Sequence, residues 1–174
     1  VLFKYYLKNC KVYFEYGIGK STLWVLKNTK ANIISIDTDK KWIDTIPTNN
    51  YETRLKLIWI NLGELTDWGR PNSYKYKTKF GDYINGVWNY KKKADVKLID
   101  GRFRVACFLS SLLNSKINAI IIFDDYLNRP WYHVVEEIVP IYKQYGRQGI
   151  FKVPKHFDKE LTKELLNKFL YVFD

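Results

Sequence analysis

Methionine is absent from all 174 residues, and the chain opens on Val1. Open reading frames start with Met, so the expectation is a trimmed chain or, as the preferred reading, a domain excised from a longer protein. Cysteine is scarce. Cys10 and Cys107 are far apart, match no metal or redox spacing, and read as small apolar packing residues, which suits an intracellular, cytoplasmic setting. No apolar run approaches the length needed to cross a bilayer, and no signal-peptide pattern opens the chain. Internal repeats and low-complexity linkers are also missing, leaving a single domain over residues 1–174. Acids are in the minority, 18 against 29 Lys and Arg, for a net charge of +11. Such a balance can mark a nucleic-acid binder or an acidic substrate. Here the lysines are spread (Lys40-Lys41, Lys91-Lys92-Lys93, the C-terminal segment) with no arginine-rich stripe, so solvated faces are the favoured reading.

What is abundant is apolar and aromatic: 47% hydrophobic and 17% aromatic residues. Short β-rich runs alternate with helical stretches. Strands are expected at Val12–Glu15, Asn32–Asp37, Lys56–Asn61, Val96–Asp100, Ala119–Asp124 and Gly149–Val153. Three contain nearly continuous apolar runs, as strands buried on both faces of a parallel sheet do. Helices are expected at Ser21–Asn28, Lys40–Ile46, Phe80–Tyr90, Phe103–Asn114, Trp131–Tyr145 and Asp158–Tyr171. This succession predicts an α/β fold with a doubly wound, mostly parallel sheet and helices on both faces. The longest gap, Leu62–Lys79, holds Trp68-Gly69-Arg70-Pro71 and is long enough to cover a site.

Ligands of such sheets sit beyond the carboxyl ends of the strands. Those ends read Glu15, then Asp37-Thr38-Asp39, Asn61-Leu62-Gly63, Asp100-Gly101-Arg102 and Asp124-Asp125-Tyr126, so acidic or amide groups recur along one edge. Gly17 and Gly19 permit a sharp turn and close approach of backbone to ligand. Ser21 and Thr22 then open a helix whose N–H groups face that ligand. A phosphate-cradling P-loop would need glycine at residue 14, which is Phe, and the dinucleotide fingerprint would need glycine at residue 22, which is Thr. A carboxylate ending strand one repels a polyphosphate but attracts an ammonium, and a second at Asp37 can accept from a ribose diol. S-adenosylmethionine carries an ammonium, a sulfonium and a free ribose diol.

Phe14-Glu15-Tyr16-Gly17-Ile18-Gly19-Lys20-Ser21-Thr22, followed by Ile36-Asp37-Thr38-Asp39 and Trp42, resembles the class I S-adenosylmethionine-dependent methyltransferases. Asp67-Trp68-Gly69-Arg70-Pro71, Leu98-Ile99-Asp100-Gly101-Arg102-Phe103-Arg104, Asp124-Asp125-Tyr126 and Arg129-Pro130-Trp131-Tyr132-His133 are similar to bacterial and viral methyltransferase-like proteins, some linked with glycan decoration. The resemblance implies a Rossmann-like fold and O-methyl transfer to a sugar, glycan or other small hydroxyl-bearing acceptor, in the context of fusion to glycosyltransferase domains, as in large algal viruses. It also implies that Glu15, Gly17 and Gly19 hold the methionine part, that Asp37, beside Thr38, takes the ribose, and that Asn61 and Leu62 lie near adenine.

An alcohol acceptor must lose a proton. Two devices are open: a general base, with His133 preferred over His156, or a divalent cation such as Mg²⁺ on Asp100, Asp124 and Asp125. Asp100, His133 and Asp125 are the expected catalytic residues. Arg70, Arg102 and Arg104, with Trp68, Tyr126 and Trp131, are expected to meet the acceptor. The alternatives are a nucleic-acid methyltransferase, suggested by the charge but lacking the amino-methylating Asn/Asp-Pro-Pro-aromatic motif, and a non-catalytic cofactor-binding domain.

Overall fold

A buried strand must pair every backbone N–H and C=O, so apolar runs of this kind assemble side by side. The computed structural model describes residues 2–49, 51 and 53–173; Val1, from which the excised-domain reading starts, lies outside them. Its strands are β1 (Val12–Tyr16), β2 (Asn32–Asp37), β3 (Leu55–Trp59), the short β4 (Leu65–Thr66) and β5 (Arg70–Pro71), β6 (Val96–Ile99), β7 (Ile120–Phe123), β8 (Lys143–Tyr145) and β9 (Gln148–Lys152). The helices are α1 (Leu2–Leu7), α2 (Lys20–Asn28), α3 (Lys40–Asp44), α4 (Phe80–Asn85), α5 (Arg104–Asn114) and α6 (Lys159–Phe169). Seven strands form one sheet in the order β3-β2-β1-β6-β7-β9-β8. The first five are parallel, while β9 runs antiparallel to β7 and β8 antiparallel to β9. The chain winds outwards from β1 in both directions, so the strand order reverses between β1 and β6. That is where an open α/β sheet offers a crevice.

Both faces of the sheet are covered, which is why its strands lack polar alternation. Phe14, Tyr16, Ile34, Ile36, Ile99, Ile121 and Phe123 pack in one core with residues of α4 and α5. Tyr13, Ile33, Val96, Leu98, Ile122 and Ile150 pack in the other with Leu7 of α1 and Val25 and Leu26 of α2.

Three expectations needed correction. The helix expected over residues 131–145 is instead a 3-10 segment, Pro130–Glu137, followed by β8. Pro140, lacking an N–H, interrupts the helical pattern, and the Tyr142 N–H then donates to the Ile150 carbonyl at 2.8 Å, starting a hairpin. The helix expected over 80–90 leaves α-geometry at Gly86, where a Cβ would stand 2.7 Å from Ile36 Cδ1. The gap over 62–79 contains the β4–β5 hairpin and two 3-10 turns. Helix α1 had no counterpart in the sequence reading.

One strand residue is out of character. Lys97 of β6 is 0% exposed, donates to the Ala94 carbonyl at 3.1 Å and lies 6.0 Å from the centre of the Trp88 ring. Burial, reinforced by Lys116 and opposed by Asp95 and Cys10, pushes its ammonium down to about 7. The unfolded chain therefore binds a proton that the folded chain releases between pH 7 and the ordinary value of 10.5, and stability rises with pH across that window. Lys97→Met is expected to raise Tm at pH 6.5 by more than about 4 °C. The gain should shrink steadily towards pH 10 in thermal unfolding monitored by circular dichroism.

Candidate active site

The carboxyl edge is organised around a buried charge. Glu15 of β1 is 0% exposed. Its carboxylate accepts from Tyr13 Oη and Ser35 Oγ, each at 3.0 Å, from Thr22 Oγ1 at 2.5 Å and from Ser21 Oγ. Strand geometry explains two of these donors. Tyr13 is two residues earlier and so on the same face, and Ser35 stands directly opposite Glu15 in the β1–β2 register. The other two come from the first turn of α2. Thr22 Oγ1 also accepts the Gly19 N–H at 3.1 Å, so the loop, the helix start and the carboxylate form one network. Burial pushes the Glu15 carboxyl up to about 7, against the pull of its four hydroxyl donors. The expectation that Glu15 meets a ligand's ammonium directly is corrected here: its oxygens lie beneath the loop and are taken by the protein.

Gly17 has φ +93°, a left-handed value that favours glycine. A Cβ there would come within 2.7 Å of Gly101 N and 2.8 Å of Asp100 O. The first turn thus presses against the loop that follows β6. No described atom lies within 4 Å of the Cβ position of Gly19, so that part of the loop is open. Asp37 ends β2 and fastens the loop from the other side, with Oδ2 accepting from Ile18 N at 2.6 Å and Oδ1 from Asp39 N at 2.8 Å. It is 7% exposed, and burial raises its carboxyl above the ordinary range.

The segment suspected of covering a site lies over this strand end. Thr38, also buried, donates to the Gly69 carbonyl at 2.6 Å. Trp68 takes the strained value φ +61° and is 76% exposed, its ring nearly parallel to Trp42 at 6.5 Å. Leu62 is buried, whereas Asn61 is exposed and accepts from Gly63 N at 2.9 Å.

Beyond β6 and β7 the three expected acids converge. Asp100, Asp124 and Asp125 offer oxygens within 4.8 Å of one another. Three arginines balance them. Arg104 bridges Asp100 at 3.2 Å and Asp125 at 3.3 Å; Arg129 reaches Asp125 at 3.1 Å; Arg147 holds Asp124 at 2.6 Å and Asp125 at 3.1 Å. Gln148 donates to Asp124 at 2.8 Å. Burial, then the neighbouring Asp124, raises the Asp100 carboxyl; Asp124, though buried, is held low by its bonds from Arg147 and Gln148. The pair is therefore polarised: the half-exposed Asp100 takes up a proton more readily than Asp124.

Two expected acceptor contacts are withdrawn. Arg104 is buried and, besides its carboxylates, donates to the carbonyls of Gly101, Asp124 and Asp100 at 2.9, 2.9 and 3.2 Å, so it is part of the frame. Tyr126 is 0% exposed, packed edge-on against Phe151, with its hydroxyl on Glu136 at 2.7 Å. His133 has Nε2 3.1 Å from the Tyr126 carbonyl, which makes that nitrogen a donor and unsuited to act as a base. Trp131 is 59% exposed, and Arg70 is exposed, with Nε donating to the Phe173 carbonyl at 3.2 Å. Arg102 is half-buried, its N–H donating to Tyr83 Oη at 3.3 Å.

Sequence reasoning missed Tyr13, Ser35 and Arg147. Strand periodicity around Glu15 could have given the first. Arg147 sits in the turn between β8 and β9, which the expected helix ending at Tyr145 left as an unassigned connection.

No protein-family model matches the chain, and no curated protein matches it. Among solved structures it is similar to a methyltransferase-like protein from Silicibacter pomeroyi, at 26% identity over 98% of this chain and 92% of that one, TM-score 0.86. It is also similar to the O-methyltransferase from Bacillus cereus in complex with SAH, at 16% identity over 88% and 80%, TM-score 0.57. A third likeness is to the MycE methyltransferase of the mycinamycin pathway, in complex with Mg, SAH and mycinamycin VI, at 11% identity over 88% and 48%, TM-score 0.57. The last two are evidence of fold alone. The chain has the Rossmann-like fold of methyltransferases. Among the described residues, no helix is long and apolar enough to cross a membrane.

Glu15→Ala would leave four hydroxyls without their shared acceptor and is expected to cost about 2–4 kcal/mol in urea unfolding. Glu15→Gln keeps one acceptor oxygen and should cost less than half as much. Because burial lifts the folded carboxyl from 4.5 to about 7, its share of stability is full below the lower of these values and is lost as pH rises through the upper one. Glu15→Gln should flatten that part of the stability–pH curve.

Proposed function

We propose that this chain is an S-adenosylmethionine-dependent O-methyltransferase acting on a hydroxyl of a sugar, glycan or other small acceptor. The observation that carries the reading is the buried carboxylate directly beneath the glycine loop. A loop built over Glu15 is a poor cradle for a polyphosphate, yet its opening at Gly19 and the start of α2 suit a zwitterionic amino acid. The likeness to the Silicibacter pomeroyi methyltransferase-like protein over nearly the whole chain supports the same reading.

The residues present fit the cofactor. Gly17, Gly19 and the first N–H groups of α2, pinned by Ser21 and Thr22 to Glu15, would receive the methionine part. Asp37 spends one lone pair on the loop, at Ile18 N, and one on its own turn, at Asp39 N, and keeps others for a ribose diol. Thr38, Asn61 and Leu62 border the adenine side. When bound, the cofactor supplies an activated methyl group on a sulfonium, transferred in line to the acceptor oxygen with cleavage of the sulfur–methyl bond.

The chain's own work is to align the acceptor, exclude water and accept the hydroxyl proton. Asp100 is the group placed to accept it. It ends the strand beside β1, its loop abuts Gly17, and its carboxyl is raised to the range where proton transfer is efficient. Asp124 and Asp125 keep Asp100 and Arg104 in place. The three acids are hard oxygen donors at a spacing that a divalent cation can bridge. Arg147, whose side chain is 57% exposed, is the partner able to yield to one. Such a cation would acidify the acceptor hydroxyl. Trp68, Trp131, Arg70 and Arg102 border the edge where an acceptor would lie.

Mass spectrometry of hydroxyl-bearing acceptors incubated with labelled S-adenosylmethionine tests the activity. Labelled ethers are expected; the complete absence of product together with absence of cofactor binding would sink the proposal. Asp100→Asn should lower kcat by about 10²–10⁴-fold and leave affinity for S-adenosylhomocysteine within about twofold. Undiminished turnover would remove Asp100 from its role.

A further inference from the structure

A groove of about 550 Å³ runs beside the β3 edge of the sheet, outside the glycine-loop crevice. It is lined by β3 and the residue after it (Ile58, Ile60), by α4 and the 3-10 turn that follows (Asp82, Asn85, Asn89), and by Tyr90. Two properties set it apart. Among the described residues, none that lines it is Lys or Arg, although the chain contains 29 of them. Its polar groups are one carboxylate, two carboxamides and a phenol, alongside two isoleucines.

From this we infer that the groove binds a neutral, hydroxyl-rich chain, an oligosaccharide, and serves as the anchoring subsite for the acceptor. A polyanion would meet Asp82 with no cation lining the groove to balance it. Sugar hydroxyls both donate and accept, which is what carboxylate, carboxamide and phenol groups satisfy together, while the C–H face of a pyranose matches Ile58 and Ile60. Asn85 Oδ1 already accepts from Ser110 Oγ at 2.9 Å, which fixes the carboxamide's orientation and leaves its N–H groups as donors. The volume lies within the range of ligand sites, about 300–1,000 Å³. Position ties the groove to the carboxyl edge. Ile60 immediately precedes Asn61, and Asp82 immediately precedes Tyr83, whose hydroxyl accepts the Arg102 N–H beside Gly101. A chain lying in the groove could therefore extend its end towards Asp100. The acceptor role rests on the methyltransferase reading; sugar binding does not.

Gly81 supplies the test. It lies in α4, and no described atom stands within 4 Å of its Cβ position. Gly81→Leu should therefore fold, with a better helix former, while filling the groove. Labelled protein is applied to an array of neutral, uronic and sulfated oligosaccharides, with poly-U as a further polyanion. The best neutral probe is then titrated calorimetrically into wild type, Gly81→Leu and Asp82→Ala, with S-adenosylhomocysteine titrated in parallel. A neutral glycan is expected to bind with Kd below about 1 mM and to be weakened at least about tenfold by either substitution, with S-adenosylhomocysteine affinity unchanged. Absence of any neutral binder, equal binding of acidic glycans or poly-U, or unaltered affinity in Gly81→Leu would overturn the inference. Sugar binding without S-adenosylhomocysteine binding would instead overturn the methyltransferase reading alone.

Discussion

A carboxylate with no access to water must find all its partners inside the protein, and Glu15 finds four hydroxyls. Those hydroxyls come from its own strand, from the neighbouring strand and from the helix that follows. Satisfying one charge therefore locks β1, β2 and the start of α2 to each other and dictates the path of the loop between them. The loop in turn presses Gly17 against Gly101, which places Asp100 at the crevice. From Asp100 the order passes through Arg104 to Asp124 and Asp125, and through these to Arg147 on the β8–β9 hairpin.

The acids and arginines beyond β6 and β7 do two jobs that a single charge could not. Three guanidiniums keep three close carboxylates from repelling one another, yet their uneven distribution polarises the set. Asp124 takes the short bond from Arg147 and is held low; Asp100, with a longer bond to Arg104 to offset its burial and the neighbouring Asp124, is the one whose carboxyl rises. Two acids in contact with different environments yield separate roles, a fixed anion and an exchangeable proton. Asp125 has a left-handed backbone, with φ +56°, where a non-glycine residue is strained. That conformation aims its carboxylate at all three arginines.

Much of this was legible in the sequence. The parallel strands were visible because burial on both faces produces unbroken apolar runs, and β2 matched its expected bounds, Asn32–Asp37. The recurrence of Asp and Asn after strands located the edge. What escaped had physical reasons. Helix-like spacing between residues 131 and 145 outweighed the one warning in the segment, Pro140, which ends a helical pattern and here precedes β8; without the β8–β9 pairing, Arg147 had no visible place beside the acids. Polar residue type singled out Glu15, Arg104 and Tyr126 but did not tell whether they faced a ligand or the protein. Burial is a tertiary property, and it turned Arg104 and Tyr126 from contacts into supports. Lys97 carried no signal at all, since a lysine in a strand normally means solvent.

What occupies the loop above Glu15 is the deciding fact, and a crystal structure with S-adenosylhomocysteine measures it most directly. The ligand is expected across the ends of β1 and β2, its amino-acid part over Gly17 and Gly19 and its ribose on Asp37, with Glu15 still beneath its four hydroxyls. A ligand lodged elsewhere, or a loop that binds ATP phosphates in its place, would contradict the cofactor assignment.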